Sequence, residues 1–411
     1  MEHLQEWRTF QENLIGASER YIFKTLFNFS VEHDWAIALW RLPHQTEKHL
    51  IIDSSQTTKV VKADLEELPE GFIIAPFDGS GANQTIFINN DLYFSSKEKK
   101  LSISPALKWD ESKIQLEGLF EKFSNGMVKN KGTSFYTASS DETQSTSKDQ
   151  YIEMVRKAVG EIAENKFEKV VPSKIKLVPL DQNFEIIEIF EKLCEAYPNA
   201  FISIVSHPEI GTWVGATPEK LISIDKNKMF QTISLAGTQK IDKDTDLREV
   251  AWKQKEIEEQ AMVSRYIINC FKKIRLREFT EKGPRTARAG ALAHLQTEFN
   301  VDTEATNFTQ LGTVMLDLLH PTSAVCGMPK EPANAFLLKN EVHQRAYFSG
   351  YLGPVNVLEE SRIFVNIRCM QLLSDSAVLY SGAGVTENSD PEHEWEETEI
   401  KCETILRILK E

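Results

Sequence analysis

The sequence predicts an α+β protein with large, mostly antiparallel sheets. Short apolar segments follow one another between helical stretches and are separated by Gly, Asn, Asp and Pro turn residues. Runs of consecutive strands favour antiparallel pairing, whereas regular strand–helix alternation would indicate a parallel sheet. The 411 residues are 41% hydrophobic and 26% charged, as in a globular protein. The length suggests two to three domains and is also compatible with one large domain.

The first 130 residues are predicted to form a helix followed by short strands. The strand candidates are residues 21–31, 34–42, 49–55, 71–79 and 84–94. Residues 132–149 are rich in Ser and Thr, which predicts a surface linker between an N-terminal part, 1–149, and a core, 150–411. Ser147 to Gln150 resembles a capping box, so a helix is expected to begin there.

Beyond residue 150 the predicted elements alternate in short groups. Strands are expected at 167–178, 201–205, 211–215, 221–225, 229–237, 291–299, 362–373 and 377–382. Helices are expected at 184–196, 306–319 and 331–345, and Asp246 to Glu249 resembles a second capping box that opens a long helix to about Lys273.

The last helix has an acidic start. Asp390 followed by Pro391 is a strong helix-start signal, and five glutamates follow within eight residues. Glu394, Glu397 and Lys401 share one face, so two carboxylates converge and a divalent cation would relieve their repulsion. The alternative is a solvated helix face, since acids in a first turn are each favoured by about 0.3–1 kcal/mol.

The long helix repeats this spacing with Glu256 and Glu259. Two helices would therefore present two carboxylate pairs to one cation, and Mg²⁺ suits such an oxygen-rich site. A solvated face on the KQKEIEEQ segment is the competing interpretation.

Two ionisable residues are candidates for acid–base chemistry. Lys169 stands in an apolar strand, where a desolvated lysine can act as a general base; the alternative is that it faces water. Glu219 follows a Thr-Pro turn, and a carboxyl held in a pocket can serve as a general acid; the alternative is a plain turn residue.

Three further features could bind a ligand. Arg368 is predicted to lie mid-strand and to pair either with a substrate carboxylate or with an internal acid. His294, also mid-strand, is either a ligand or a satisfied core residue. The loop 320–329 offers backbone donors for an anion or is only a connection.

Composition limits the partners. The net charge of −14 disfavours nucleic acid and anionic membranes, so an anionic small substrate would need local cations or a metal. No apolar run approaches the about 18 residues of a membrane helix, and the N-terminus does not resemble a signal peptide. Five scattered cysteines without a CxxC pair predict a cytoplasmic protein.

Together these residues resemble the chorismate-binding enzymes, and among them the isochorismate synthases. The resemblance spans residues 150–411 and rests on FEKVVPSK, VGATPEKLISI, SLAGTQ, KEIEEQAM, LAHLQTEF, LLHPTSAVCGMPKEPA, QRAYFSGYLGP, FVNIRC and YSGAGVTENSDPEHEWEETEIK. It implies one large domain with two big, mostly antiparallel sheets, helices packed outside and the site between the sheets.

The resemblance also implies roles. Lys169 would activate water for attack at C2 of chorismate, and Glu219 would assist departure of the C4 hydroxyl in a reversible, Mg²⁺-dependent reaction. Glu259 and Glu397 would bind Mg²⁺, and Glu256 and Glu394 would hold its waters. The residues expected to line the substrate pocket are Gly237, His294, Thr297, Ala324, Arg368, Gly382 and Lys401.

Relatives with other chemistry differ at a few positions. Anthranilate and aminodeoxychorismate synthases use ammonia and usually lack the lysine at 169, and the latter often carry a lysine where this chain has Ala236. We therefore expect an enzyme that uses water rather than ammonia and that has no glutamine amidotransferase subunit. The alternatives are a salicylate synthase, a silent chorismate binder and, from the glutamates alone, a metal-dependent hydrolase.

The chain departs from the family pattern at Pro172, Lys174, Gln260 and Gln344, and Lys220 would lower the pKa of Glu219 if it came near. The product is expected to serve menaquinone or siderophore synthesis, with menaquinone favoured. A monomer or weak homodimer is expected.

Overall fold

Two large antiparallel sheets dominate the computed structural model, which describes residues 2–78, 85–105, 107, 118–120, 123, 132–138, 144–242, 244–289 and 292–410. Each sheet has nine strands, and every named strand pair is antiparallel. The predicted α+β class is therefore confirmed.

The first sheet combines strands from the N-terminal and the C-terminal parts of the chain. Its spatial order is β7 (Lys100–Ile103), β6 (Leu92–Ser95), β2 (Lys48–Asp53), β1 (Ala36–Arg41), β10 (Phe201–His207), β11 (Gly211–Thr217), β19 (Cys369–Leu372), β20 (Ser376–Gly382) and β9 (Ser173–Pro179).

The second sheet also combines strands from both parts of the chain. Its order is β14 (Thr280–Ala289), β15 (Leu292–Asp302), β13 (Met229–Lys240), β12 (Lys220–Ile224), β18 (Ser361–Val365), β17 (Tyr351–Val355), β4 (Gly71–Ala75), β5 (Thr85–Asn89) and β3 (Lys59–Val61). A separate small ladder joins β8 (Lys169–Val170) to β16 (Gly327–Met328).

Helices cover the outer faces of the sheets and pack around the small ladder. They are α1 (Glu2–Gly16), α2 (Glu19–Glu32), α3 (Lys148–Ala163), α4 (Ile186–Ala196), α5 (Gln254–Lys273), α6 (Leu311–Leu319), α7 (Lys330–Asn340) and α8 (Pro391–Lys410). Helices α3 and α7 are the two at the ladder. The predicted caps are present at two of the helices. Ser147 and Gln150 form a complete capping box, and Asp390 accepts from the amides of Glu392 and His393.

The apolar side chains form layers that follow from strand alternation. Alternate residues of β1 point inward, where Trp40 packs on Phe72 and Phe201 stacks on Phe364 at 4.1 Å between the two sheets. The opposite face of the first sheet packs against α2, α4 and α8, and that of the second sheet packs against α5 and α6. The molecule is thus layered helix–sheet–sheet–helix.

The N-terminal residues belong to both sheets. Strand β1 pairs with β10 and β4 pairs with β17, so each sheet joins a block of strands from before residue 150 to a block from after it. Within the predicted linker, Thr133 and Thr146 are buried and hydrogen-bond to the sheet and helix elements around them. The boundary at residue 150 stays a prediction.

Several predicted elements were wrong in type or extent. Residues 21–31 form part of α2 rather than a strand, because the apolar side chains recur at helical spacing behind the Ser18 cap. Residues 84–94 hold two strands of different sheets, β5 and β6, where one was expected. The second capping motif caps only a short 3-10 turn, Leu247–Glu249, and α5 begins later at Gln254. No helix in the described ranges is long and apolar enough to cross a membrane.

Candidate active site

Lys169 is held in a buried position by local backbone structure. Pro172 cannot donate a ladder hydrogen bond, and it separates β8 from β9, so Lys169 lies in the short ladder with β16. Its side chain is only 6% exposed, which excludes the solvent-facing alternative, and Nζ donates to Glu259 Oε1 at 3.1 Å. A Cβ at Gly384 would lie 3.0 Å from Lys169 Cε, so glycine there leaves room for the amine.

Glu219 precedes β12 and faces several cations. Burial raises the pKa of its carboxyl to about 7, against the opposing effects of Arg368, Lys169 and Lys401. A carboxyl with that pKa is a competent proton donor near neutral pH. Lys220 donates to Gln231 Oε1 and is directed away from the acid.

Two hydroxyls that the sequence did not single out lie beside Glu219. Thr322, Ser323 and Ala324 line a pocket together with Glu219. The Thr322 hydroxyl favours the ionised carboxylate of Glu219 but lacks a well-aligned hydrogen bond. Ser323 is 2% exposed, and its Oγ has no hydrogen-bond partner in the described part of the chain. In the sequence, the polar HPTSAV segment was the only indication that these residues could contribute to a site.

The acidic helix α8 brings its predicted face to the site. Lys401 Nζ donates to Glu397 Oε1 at 2.6 Å and to the Gly382 carbonyl at 2.8 Å. Burial lowers the pKa of Lys401. Glu394 is only 5% exposed, and its pKa is raised by burial, with a further contribution from Glu397.

Helix α5 supplies the second carboxylate pair. Burial disfavours the ionised Glu259, but the charge and hydrogen bond of Lys169 hold its pKa below the usual value. Glu256 Oε2 is buried without a hydrogen-bond partner among the described residues. Gly237 has φ +67°, and a Cβ there would lie 3.0 Å from Glu256 Cβ, so the bulge in β13 lets α5 approach closely.

The carboxylate oxygens of these four glutamates are suitable ligands for a divalent cation. Glu256 has an unpartnered buried oxygen, and Glu394 is a buried carboxyl without an ion pair in the described residues. Both features suit a hard cation with oxygen ligands. Within the described ranges no three acidic, His or Cys side chains are close enough to form an assembled metal site. Glu259 and Glu397 are each engaged by a lysine instead.

The Arg368 prediction was wrong in its local structure. Arg368 does not lie mid-strand: it has φ +50° in the connection 366–368, where the chain passes from β18 of one sheet to β19 of the other. Its pKa is lowered by burial and raised by Glu397 and Glu219, so it faces the same site. Among the described residues it forms no ion pair, although Glu397 and Glu219 both act on its charge.

The remaining predicted pocket residues lie on β13 and β15. His294 Nδ1 is 3.0 Å from the Gly237 carbonyl, and burial lowers the pKa of the ring. Arg368 and Glu259 also act on that pKa, which places His294 on the same site. Thr297 is 1% exposed, and its hydroxyl accepts from Gln260 Nε2 at 2.9 Å. Gln260 Oε1 is buried and unpartnered within the described residues.

A family model described as chorismate binding enzyme matches residues 89–410. The chain belongs to the chorismate-binding enzyme family. In this chain, buried Lys169, partly buried Glu219 and the glutamates of α5 and α8 face one site. The resemblance carried by residues 150–411 is therefore confirmed at the family level.

Sequence relatives are identical to this chain at about a quarter of the aligned positions. The isochorismate synthase EntC of Escherichia coli K12 is 27% identical over 263 residues, 62% of this chain and 66% of its own length. The isochorismate synthase MenF of Bacillus subtilis 168 is 26% identical over 269 residues, 64% of this chain and 56% of its own length. Both matches thus leave a third or more of the relative outside the alignment.

Solved structures match over nearly the whole chain. MenF, the menaquinone-specific isochorismate synthase from Escherichia coli, has a TM-score of 0.74 at 18% identity and covers 93% of this chain and 91% of its own. Anthranilate synthase component I from Streptococcus pneumoniae has a TM-score of 0.66 at 17% identity, covering 90% and 92%. Since differently named enzymes share it, the fold alone does not decide the chemistry.

Proposed function

We propose that this protein is an isochorismate synthase that interconverts chorismate and isochorismate. The observation that carries the proposal is that a buried amine, Lys169, and a partly buried carboxyl, Glu219, whose pKa is raised to about 7, face one site. Sequence relatives named isochorismate synthase support the same activity.

The two groups have complementary tasks. In its neutral form, Lys169 takes a proton from water as the water oxygen forms a bond to C2 of chorismate. The ring double bonds shift, the C4–oxygen bond breaks, and Glu219 gives its proton to the departing hydroxyl, which leaves as water. General acid–base catalysis of this kind contributes about 10²–10⁴-fold per group. The reverse reaction uses the same groups with exchanged proton states.

Arg368 is proposed to bind the enolpyruvyl carboxylate. A guanidinium without an internal acid partner is available for a bidentate contact. Gly237, His294, Thr297, Ala324, Gly382 and Lys401 would shape the rest of the pocket. These contacts would orient the ring between Lys169 and Glu219.

Isochorismate synthases generally need a divalent metal, and we propose Mg²⁺ here. Glu259 and Glu397 would hold the ion, and Glu256 and Glu394 would hold its waters. When bound, the ion would neutralise the ring carboxylate that this acidic protein otherwise repels.

The cellular setting is part of the proposal. The five free cysteines are consistent with a cytoplasmic enzyme. We expect the protein to act as a monomer or weak homodimer without a glutamine amidotransferase subunit. Its product would enter menaquinone synthesis in preference to siderophore synthesis.

The decisive experiment incubates the purified protein with chorismate and Mg²⁺, without ammonia, and separates the products chromatographically against time. A mixture of chorismate and isochorismate that reaches equilibrium without pyruvate is the expected result. Salicylate with pyruvate would overturn the proposal in favour of a salicylate synthase. No conversion, with or without ammonia, would indicate a silent chorismate binder.

A further inference from the structure

A buried ion pair outside the proposed acid–base machinery touches both segments that carry it. Glu341 and Arg345 follow α7, and their side chains are 5% and 3% exposed. Arg345 Nε donates to Glu341 Oε2 at 2.8 Å, and Arg345 Nη2 donates to Glu341 Oε1 at 2.6 Å. A bidentate pair of this kind has one defined geometry, so it can fix the position of whatever else it binds.

Arg345 uses its remaining donors on two catalytic segments. Nη2 donates to the Val171 carbonyl at 2.6 Å, two residues beyond Lys169. Nη1 donates to the Val325 carbonyl at 2.7 Å, one residue beyond Ala324 in the loop beside Glu219. One guanidinium therefore sets the spacing between the lysine segment and the loop that faces the acid.

Glu341 fixes the other end of the lysine segment. Its Oε1 accepts from both the amide and the hydroxyl of Ser173 at 2.8 Å. Arg345 also lies over the Phe77 ring at 4.2 Å, which restricts its movement. Gln344 is exposed, so the departure from the family pattern at that position leaves the ion pair intact.

We propose that Glu341 and Arg345 are positioning residues that hold the Lys169 segment and the Thr322–Ala324 loop at the separation that catalysis needs. The proposal rests on the proposed function for its effect on rate. Small displacements of reacting groups cost as much as about 10²-fold in rate, so the pair should act on turnover more than on substrate affinity.

The test compares Glu341→Gln and Arg345→Lys with a matched control, Arg41→Lys. Arg41 is also buried and donates to the carbonyls of Leu42, Cys194, Tyr197, Pro198 and Ala200, remote in sequence from the catalytic segments. The control therefore loses a comparable set of buried hydrogen bonds without touching the Val171 or Val325 carbonyl.

Two measurements are made on each variant. With chorismate and Mg²⁺, kcat of Glu341→Gln and Arg345→Lys should fall about tenfold to a hundredfold, with KM changed much less, while Arg41→Lys keeps its kcat. Hydrogen exchange followed by mass spectrometry should accelerate in residues 168–173 and 322–327 in the two variants and not in the control.

The outcomes separate the two proposals. Unchanged exchange in both segments, or an equal loss of kcat in Arg41→Lys, would overturn the positioning role. If the wild type makes no isochorismate, the proposed function fails, and the exchange pattern still decides whether the ion pair holds these segments.

Discussion

The two sides of the site treat their charges in opposite ways. On the lysine side, Lys169 pairs with Glu259 and Lys401 pairs with Glu397. On the acid side, Glu219 and Arg368 are partly buried and form no ion pair among the described residues. On the paired side the protein itself compensates each charge, whereas the unpaired side holds a carboxyl that is partly protonated near pH 7 and a guanidinium that is available to a ligand.

The largest effect on turnover is expected when the amine of Lys169 is removed. We expect Lys169→Ala to lower kcat by about 10²–10⁴-fold, because the general base is lost while the fold is retained. Initial rates of isochorismate formation measure the effect, and circular dichroism checks the fold. Lys176→Ala, which removes a partly exposed lysine paired with Glu399 from the adjoining strand β9, is the control. A Lys169→Ala rate equal to that of the wild type would exclude the proposed base.

The next effect concerns the cation. Glu397→Gln should raise the Mg²⁺ concentration needed for half-maximal activity by about tenfold or more, since a charged oxygen ligand is lost. Direct titration of Mg²⁺ by calorimetry gives a measurement independent of turnover. Glu396→Gln, an exposed neighbour on the same helix, serves as the control. Equal activity of Glu397→Gln and wild type at low Mg²⁺ would show that the metal assignment is wrong.

Stability should change with opposite signs on the two sides. At pH 8 the carboxyl of Glu219 is mostly ionised although burial disfavours its charge, so Glu219→Gln should stabilise the fold by about 1–3 kcal/mol at pH 8 and by much less at pH 5. Glu259→Gln should destabilise by about 1–3 kcal/mol, because it leaves buried Lys169 without its partner. Urea unfolding at both pH values measures these differences. If both variants changed the free energy of unfolding in the same direction at pH 8, the proposed difference between the two sides would be wrong.

The smallest expected effect is a shift in pH dependence. Since the Thr322 hydroxyl favours ionised Glu219, Thr322→Val should raise the pKa of that carboxyl from about 7. The limb of the kcat/KM profile that Glu219 sets, near pH 7, should then move to higher pH. Ser323→Ala is the neighbouring control. A limb that moved to lower pH would contradict the assignment of this hydroxyl.

Much of the fold could be predicted because its strands have strong local signals. Alternation and turn residues located β10 to β13, and the Asp390–Pro391 start located α8. Residues 21–31 were mispredicted because their aromatic and β-branched residues suit a strand, while tertiary burial follows a helical period. The sheet to which a strand belongs depends on distant pairing, which explains the miss at 84–94 and at Arg368.

Residue types at the candidate site were predictable, but their states of pairing were not. Sequence spacing brought out the glutamate pairs, and an apolar context brought out Lys169. The shared helix face of Glu397 and Lys401 was visible in the sequence. The sequence could not show that Lys169 engages Glu259, because that contact joins residues 90 positions apart. The Glu341–Arg345 pair was missed because nothing in its local sequence points to the Val171 and Val325 carbonyls.

The pairing of an early with a late strand at the middle of each sheet affects how the chain reaches its native state. Strand β1 must wait for β10, and β4 must wait for β17, so neither sheet is complete until nearly all of the chain has been synthesised. A fragment that starts at residue 150 would expose unpaired edges on β10 and β17, and such edges promote association between molecules. We expect that fragment to aggregate, and the full chain to depend on protection of its nascent strands during translation.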